Sequence, residues 1–282
     1  DIGAHVLPHF VKDNTDRNRT SPFAFTGNKF EFRMLGSAAS VSTPNIVLNT
    51  AVAESLAQFY RELEGTKPED MESAVHELIK RAIRKHKKII FNGNGYSDEW
   101  VKEAEGRGLY NLVSTPDCLP QFIAEKNVEL FTKHHIFTKD EIFSRYEILL
   151  ENYAKTVLIE ARTMAEMLTK DFLPALSAYA GETARNAASK KAFLPALSVD
   201  SEEILVKKLT AAYETATAGI AQLTGLISDA ENIEDMQKAA EFCHSAILTK
   251  MEELRLAANE AEALIPDSVL PYPTYDKLLF SL

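Results

Sequence analysis

Four side chains near the front of the chain could do chemistry together: Arg19, Lys29, Glu31 and Arg33. Three are cations and one is a carboxylate. An arginine stays charged at any working pH and offers a planar fork of donors, which suits phosphate oxygens or an amino-acid carboxylate. A glutamate set among cations can ligate a hard divalent ion. The group therefore fits a metal-nucleotide or acidic-substrate site. On spacing alone, a solvated strand face whose Glu and Arg pair with their neighbours accounts for the same residues.

Other chemical candidates are less specific. Asn92-Gly93-Asn94-Gly95 could cradle a phosphate, but it lacks the GxxxxGK pattern and reads equally well as a tight turn. His5 and His9 have i, i+4 spacing, yet Gly3 and Pro8 argue against a helix that would bring them together as ligands. His134-His135 reads as a helix end, and Glu147, Glu151 and Glu160 as a solvated helix face without the ExxH partner of a carboxylate-bridged metal site. Arg84-Lys85-His86-Lys87-Lys88 suits the negative end of a helix dipole. It has no interleaved aromatics of the kind that stack nucleic-acid bases.

The elements that must position these residues change character along the chain. Of 11 glycines, eight lie before residue 110, so turns and strands are expected early and helices late. Phe30, Phe32 and Met34 alternate with Lys29, Glu31, Arg33 and Leu35 after a Gly27-Asn28 turn signal, giving a strand with one apolar and one charged face. Thr43-Pro44 is an N-cap with proline at the first helical position, and that helix should stop at Gly65. Pro68 opens a second helix. Ile89-Ile90-Phe91 reads as a short strand, and Ser97 caps the helix after it. Thr138 with Glu141 is a capping box opening a long helix that Pro174 kinks or ends. A linker is expected around 187–198. Leu205, Leu209, Ala212, Ala216, Gly219, Leu223 and Leu226 form a heptad seam. A second seam runs Ile233, Met236, Ala240, Cys243, Ile247, Met251, Leu254, Ala258, Ala261 and Ile265, with one 4-4 step between Cys243 and Met251. The short polar stretch 228–232 between the seams predicts an antiparallel helical hairpin, and Pro266, Pro271 and Pro273 predict an extended tail. No other repeat period is visible.

The fold class expected is α+β and mainly α: a short strand and loop element, a helical region, and a coiled hairpin. The boundaries are 1–65, 66–195 with the turn at 92–95, 196–265 for the hairpin, and 266–282 for the tail. With 31 Lys+Arg against 41 Asp+Glu the net charge is −10, which repels phosphate backbones and anionic lipid. Residues 1–40 hold five basic and four acidic side chains, so the acid excess lies in the rest. Cys118 and Cys243 have no CxxC spacing and suggest a reducing cytoplasm. The first residues look like the middle of a strand and loop, and a piece of a longer polypeptide is expected.

Asn18-Arg19-Thr20-Ser21 followed by Lys29-Phe30-Glu31-Phe32-Arg33 resembles the adjoining active-site motifs of glutamine synthetases, which read roughly N-R-S and R-I-E-x-R. The longer stretch from Asp16 to Ser37 is similar to the type III branch. So are Pro44-Asn45-Ile46-Val47-Leu48-Asn49, the run from Ile90 to Trp100, Ser144-Arg145-Tyr146-Glu147 and Glu151-Asn152-Tyr153. The likeness is strong over about 13–50, good over 88–175, and only compositional beyond 196. It implies ligation of glutamate and ammonia with ATP through a γ-glutamyl phosphate, using Mg2+ or Mn2+, in a cytoplasmic homo-oligomer of stacked rings. It further implies that Arg19 contacts the transferring phosphoryl group, Lys29 lies near the nucleotide phosphates, Glu31 ligates metal, and Arg33 clamps the substrate carboxylate. Three features depart from the family. Ala24 stands where a second arginine is usual, and no glutamate between residues 2 and 30 matches the flap glutamate. The other metal glutamates, the N-G-x-G-x-H segment and the β-grasp domain are also missing from these 282 residues. The chain alone is therefore expected to be inactive. A non-catalytic helical assembly module over 66–282 is the alternative from another class.

Overall fold

The computed structural model describes residues 23–25, 30–32, 36, 39–91, 94, 95 and 97–280, without the side chains of 23–25, 30–32, 275 and 276. It is mainly helical. The described residues fall into two compact units: those up to Leu112 with Glu129–Ile136, and Val113–Val128 with Phe137 onward.

The first unit opens with two three-residue strands, β1 (Phe23–Phe25) and β2 (Phe30–Phe32). They pair antiparallel, with Phe23 opposite Phe32, Ala24 opposite Glu31 and Phe25 opposite Phe30. Helix α1 (Ser42–Leu63) follows. It begins ahead of the expected Thr43 cap, at Val41, and instead Ser40 Oγ accepts from the Ser42 amide at 3.2 Å. Pro44 tolerates this because the first turn's amides have no intrahelical partner, so its missing N–H costs nothing there. Gly65 closes the helix at φ +83, a left-handed conformation that glycine adopts without steric cost. Pro68 then leads through a 3₁₀ turn into α2 (Met71–His86).

No strand forms at Ile89-Ile90-Phe91. Lys87–Ile89 is a 3₁₀ turn, and the carbonyls of Lys88 and Ile90 accept from the Arg107 guanidinium at 3.1 and 2.9 Å. A side chain has taken the acceptors that a ladder would use. Arg107 follows α3 (Asp98–Gly106), whose first turn is capped by Ser97 Oγ, accepting from the Trp100 amide at 3.3 Å.

The second unit has its core among four long helical segments. After α4 (Thr115–Cys118) and α5 (Glu125–Lys133), α6 (Lys139–Met167) starts on the expected capping box. Thr138 Oγ1 accepts from the Glu141 amide at 3.3 Å, and Glu141 Oε2 accepts from the Thr138 amide at 2.8 Å. Ile142, Leu150, Ala154, Val157 and Ala161 bury one stripe of this helix at helical spacing. The helix ends in a π-turn, Leu168–Phe172, immediately before α7 (Leu173–Phe193), which carries Pro174 in its first turn. A proline lacks the donor for the preceding turn and crowds its carbonyl, and the wider π-turn relieves both. The stretch expected as linker is shorter than 187–198, because the Ala-Ala-Ser-Lys-Lys-Ala run to Ala192 continues α7 as good helix formers do.

Helix α8 (Asp200–Glu231) packs against α7 and, after a short turn at 232–235, against α9 (Met236–Phe242), a second π-turn (Cys243–Ile247) and α10 (Leu248–Glu262). Leu209, Ala216, Leu223, Ala240, Cys243, Ile247, Leu254 and Ala261 are all buried here. Beyond Ile265 the chain turns rather than staying fully extended, and Tyr275–Leu279 forms the short helix α11. Val269, Leu270 and Tyr272 return to pack on this core.

Candidate functional site

The described backbone reaches the predicted chemistry at one point. Glu31 lies in the middle of β2, and its register partner is Ala24. Residues directly opposite in an antiparallel pair are the closest cross-strand neighbours. The position where a second arginine was expected is thus the partner of the expected metal ligand. Arg19, Lys29 and Arg33 lie outside the described residues, as do His5 and His9. Among the described residues, no group of three or more His, Cys, Asp or Glu is placed to hold a metal ion. Glu147, Glu151 and Glu160 remain on the outer side of α6, where Glu151 pairs with Lys155 at 2.6 Å.

One charged cluster among the described residues of the first unit was not anticipated. Glu54 sits midway along α1 with a largely covered side chain. Its Oε1 accepts from Lys133 Nζ at 2.7 Å and Gln58 Nε2 at 2.8 Å, its Oε2 meets His134 Nε2 at 2.7 Å, and Arg61 lies 3.8 Å away. The donors from Lys133, Gln58 and His134 hold its carboxyl down at about 2. His134 is therefore a partner of Glu54 rather than a solvated residue, while His135 is exposed and takes φ +53 in the turn that ends α5. Sequence spacing could not pair residues 80 positions apart. The available signal was an i, i+4 Glu54-Gln58 pair on one helix face.

A second constellation lies on either side of residues 92–95, of which Asn92 and Gly93 are outside the described residues. Phe91 stacks on Trp100 with ring centres 3.9 Å apart and planes 17° apart, and the Arg107 guanidinium lies 5.2 Å over the Trp100 ring. Arg107 also forms an ion pair with Glu103. Together with its bonds to the Lys88 and Ile90 carbonyls, this one arginine ties residues 88–90 to the end of α3. Glu99 has its carboxyl lowered by its own backbone amide and the Ser97 hydroxyl, as suits the first turn of a helix.

In the second unit the polar side chains serve packing. Tyr146 donates to Gln237 Oε1 at 2.9 Å, and Gln237 Nε2 donates to the Pro116 carbonyl at 2.9 Å, linking α6, α9 and α4. Tyr153 meets His244 Nδ1 at 3.2 Å. No helix among the described residues is long and apolar enough to cross a membrane.

A family model described as the glutamine synthetase C-terminal domain matches residues 74–191. The chain is 43% identical over 274 residues, 97% of its length, to a glutamine synthetase of Butyrivibrio fibrisolvens. It is 38% identical over 286 residues, 99% of its length, to a type-3 glutamine synthetase of Dictyostelium discoideum, and 30% identical over 287 residues to a glutamine synthetase of Bacteroides fragilis. In each case it spans 39% of that protein's length.

Proposed function

We propose that this chain, which matches a model of the glutamine synthetase C-terminal domain over residues 74–191 and is similar over nearly all its length to proteins named glutamine synthetase, contributes one wall of an ATP-dependent glutamate–ammonia ligase site. The observation that carries this reading is the motif pair Asn18-Arg19-Thr20-Ser21 and Lys29-Phe30-Glu31-Phe32-Arg33, within a chain similar over nearly all its length to proteins named glutamine synthetase. Arg19 neutralises charge that develops on the transferring phosphoryl group, and Lys29 binds nucleotide phosphates. Arg33 clamps the glutamate carboxylate through its bidentate fork.

Glu31 is one carboxylate, whereas Mg2+ or Mn2+ takes about six oxygen ligands, water included. Glu31 contributes one ligand to a metal site that other carboxylates of the parent protein complete. A divalent ion held there would supply positive charge that offsets the charge of phosphate oxygens. The 282 residues alone have no ligase activity. The parent works as a cytoplasmic homo-oligomer on glutamate, ammonia and ATP.

In the parent, Arg33→Ala raises the apparent KM for glutamate far more than that for ATP. Equal losses of both would remove the carboxylate role from Arg33. Ligase activity in the isolated chain, or strong thermal stabilisation of it by Mg-ATP, would overturn the division of the site.

A further inference from the structure

Helix α1 is engaged on one side only. Its Glu54 is held by Lys133, Gln58 and His134, which fixes that side within the first unit. With about 3.6 residues per turn, Val52, Leu56 and Tyr60 run along the side away from Glu54, one turn apart from each other. They are 56%, 60% and 65% exposed. Helix α2 repeats the pattern: Leu78 is buried, while Ile79 and Ile83 stay open one turn apart. An amphipathic helix ordinarily turns its charges to water and its apolar stripe to a core. In α1 the charged side is covered and the apolar stripe is bare.

The two units also differ in how much core they own. Among the described residues, Leu78, Ala104 and Phe131 are the buried hydrophobic side chains of the first unit, and the second unit holds all the others. So small a core offsets little of the entropy lost in ordering its helices. Single exposed apolar residues are ordinary, but regular stripes on two helices of a unit short of core mark a surface that is made to be covered.

We infer that the Val52–Leu56–Tyr60 stripe packs against the part of the parent polypeptide that lies outside these 282 residues, and that the first unit completes its core there. The chain spans 39% of the length of each relative, so more than half of such a protein has to be placed against it. The first unit is the one that carries Glu31, whose metal site takes carboxylates from that other part; this step rests on the ligase reading. Both must therefore meet on the first unit. The stripe has no charged member, as in a permanent interface that resembles a domain core cut in half. Tyr60 already donates its hydroxyl to Glu64 Oε1 within α1, at 3.4 Å, so its ring can be covered without stranding a polar group.

Thiol labelling of Leu56→Cys reads the cover. A Cys118→Ser background removes the exposed natural thiol, and Cys243 is buried. The introduced thiol reacts at the rate of an open side chain in the 282-residue chain, and on the order of 100-fold more slowly in the parent protein. That protection persists when the parent is diluted to single-chain mass. Slow reaction already in the 282-residue chain would place the cover inside it, and fast reaction in the parent would leave the stripe bare. Protection that dilution abolishes would make a second copy the occupant. Each of these three results overturns the inference. The apolar character has its own readout: Leu56→Asp leaves the urea midpoint of the 282-residue chain unchanged and lowers that of the parent, and an unchanged parent would sink the packing. None of these measurements involves turnover, so their failure leaves the ligase reading to the KM test on Arg33, and a failure at Arg33 leaves the protection at position 56 in place.

Discussion

Glu54 shows how much one side chain can organise when its partners come from another part of the chain. Three donors converge on a partly exposed carboxylate, and its pKa falls to about 2 from an ordinary 4.5. A carboxyl lowered in the folded state stabilises the fold above its ordinary value, and that contribution disappears as pH falls toward the folded value. Glu54→Gln keeps the size and loses the charge. The variant should unfold at lower urea concentration than the wild type at neutral pH, and the gap should close between about pH 4.5 and about pH 2. A gap constant across that window would mean that the charge on Glu54 is not what matters. The cluster was illegible in the sequence because a lysine and a histidine at 133 and 134 carry no periodic tie to position 54. The four site candidates could be proposed together for the opposite reason. Arg19, Lys29, Glu31 and Arg33 stand within fifteen positions of one another, and their chemical types suit an anion-handling site.

At the scale of elements, hydrophobic spacing carried most of the information. The 4-4 step at Cys243, Ile247 and Met251 coincides with the π-turn Cys243–Ile247. An extra residue in a heptad seam must either rotate the buried face outward or be absorbed in a wider turn, and here the turn absorbs it. Pro174 and the π-turn before it are the same solution to a different problem. The strand at Ile89–Phe91 failed because a β-branched run has no claim on its own backbone acceptors once an arginine reaches them. Two glycines of α8 separate packing from propensity. A Cβ at Gly219 would lie 2.5 Å from Leu254 Cδ2 and 3.1 Å from its Cγ, whereas a Cβ at Gly225 meets nothing within 4 Å. Leu254 is buried and has little room to retreat. Gly219→Ala should therefore destabilise by roughly 1–3 kcal/mol, as overpacking does. Gly225→Ala should stabilise by about 0.5–1 kcal/mol through lost unfolded-state freedom and better helix propensity. Urea midpoints read both. Shifts of the same sign would show that α8 and α10 can part at no cost.

Over the whole molecule, the sequence separated an early chemical segment from a late helical scaffold, and the family comparison extends that likeness along nearly the full chain. Its blind spot was context. Two copies of Phe-Leu-Pro-Ala-Leu-Ser, at 172–177 and 193–198, gave one buried helix start and one exposed turn, because the first meets the packed faces of α6 and α8 while the second falls where α7 ends. The return of the chain past Ile265 has the same origin: three prolines forbid a helix but do not say where the segment docks. It docks at the joint of α6 and α7. Tyr272 donates its hydroxyl to the Met167 carbonyl at 2.8 Å, at the entry to the π-turn where the helical ladder has slipped by one residue. Burial, with the nearby Asp171 carboxylate, pushes the phenol up to about 12. A phenol raised in the folded state makes the fold lose stability as pH rises from about 10 toward about 12, because the unfolded chain ionises first. Tyr272→Phe should cost roughly 0.5–1.5 kcal/mol at neutral pH, the loss of one hydrogen bond. It should also flatten the alkaline limb of the stability profile and remove a late-ionising phenol from an ultraviolet titration of the folded protein. If the variant matches the wild type at neutral pH while its alkaline limb stays steep, the tail rests on the joint by apolar contact through Val269 and Leu270 alone.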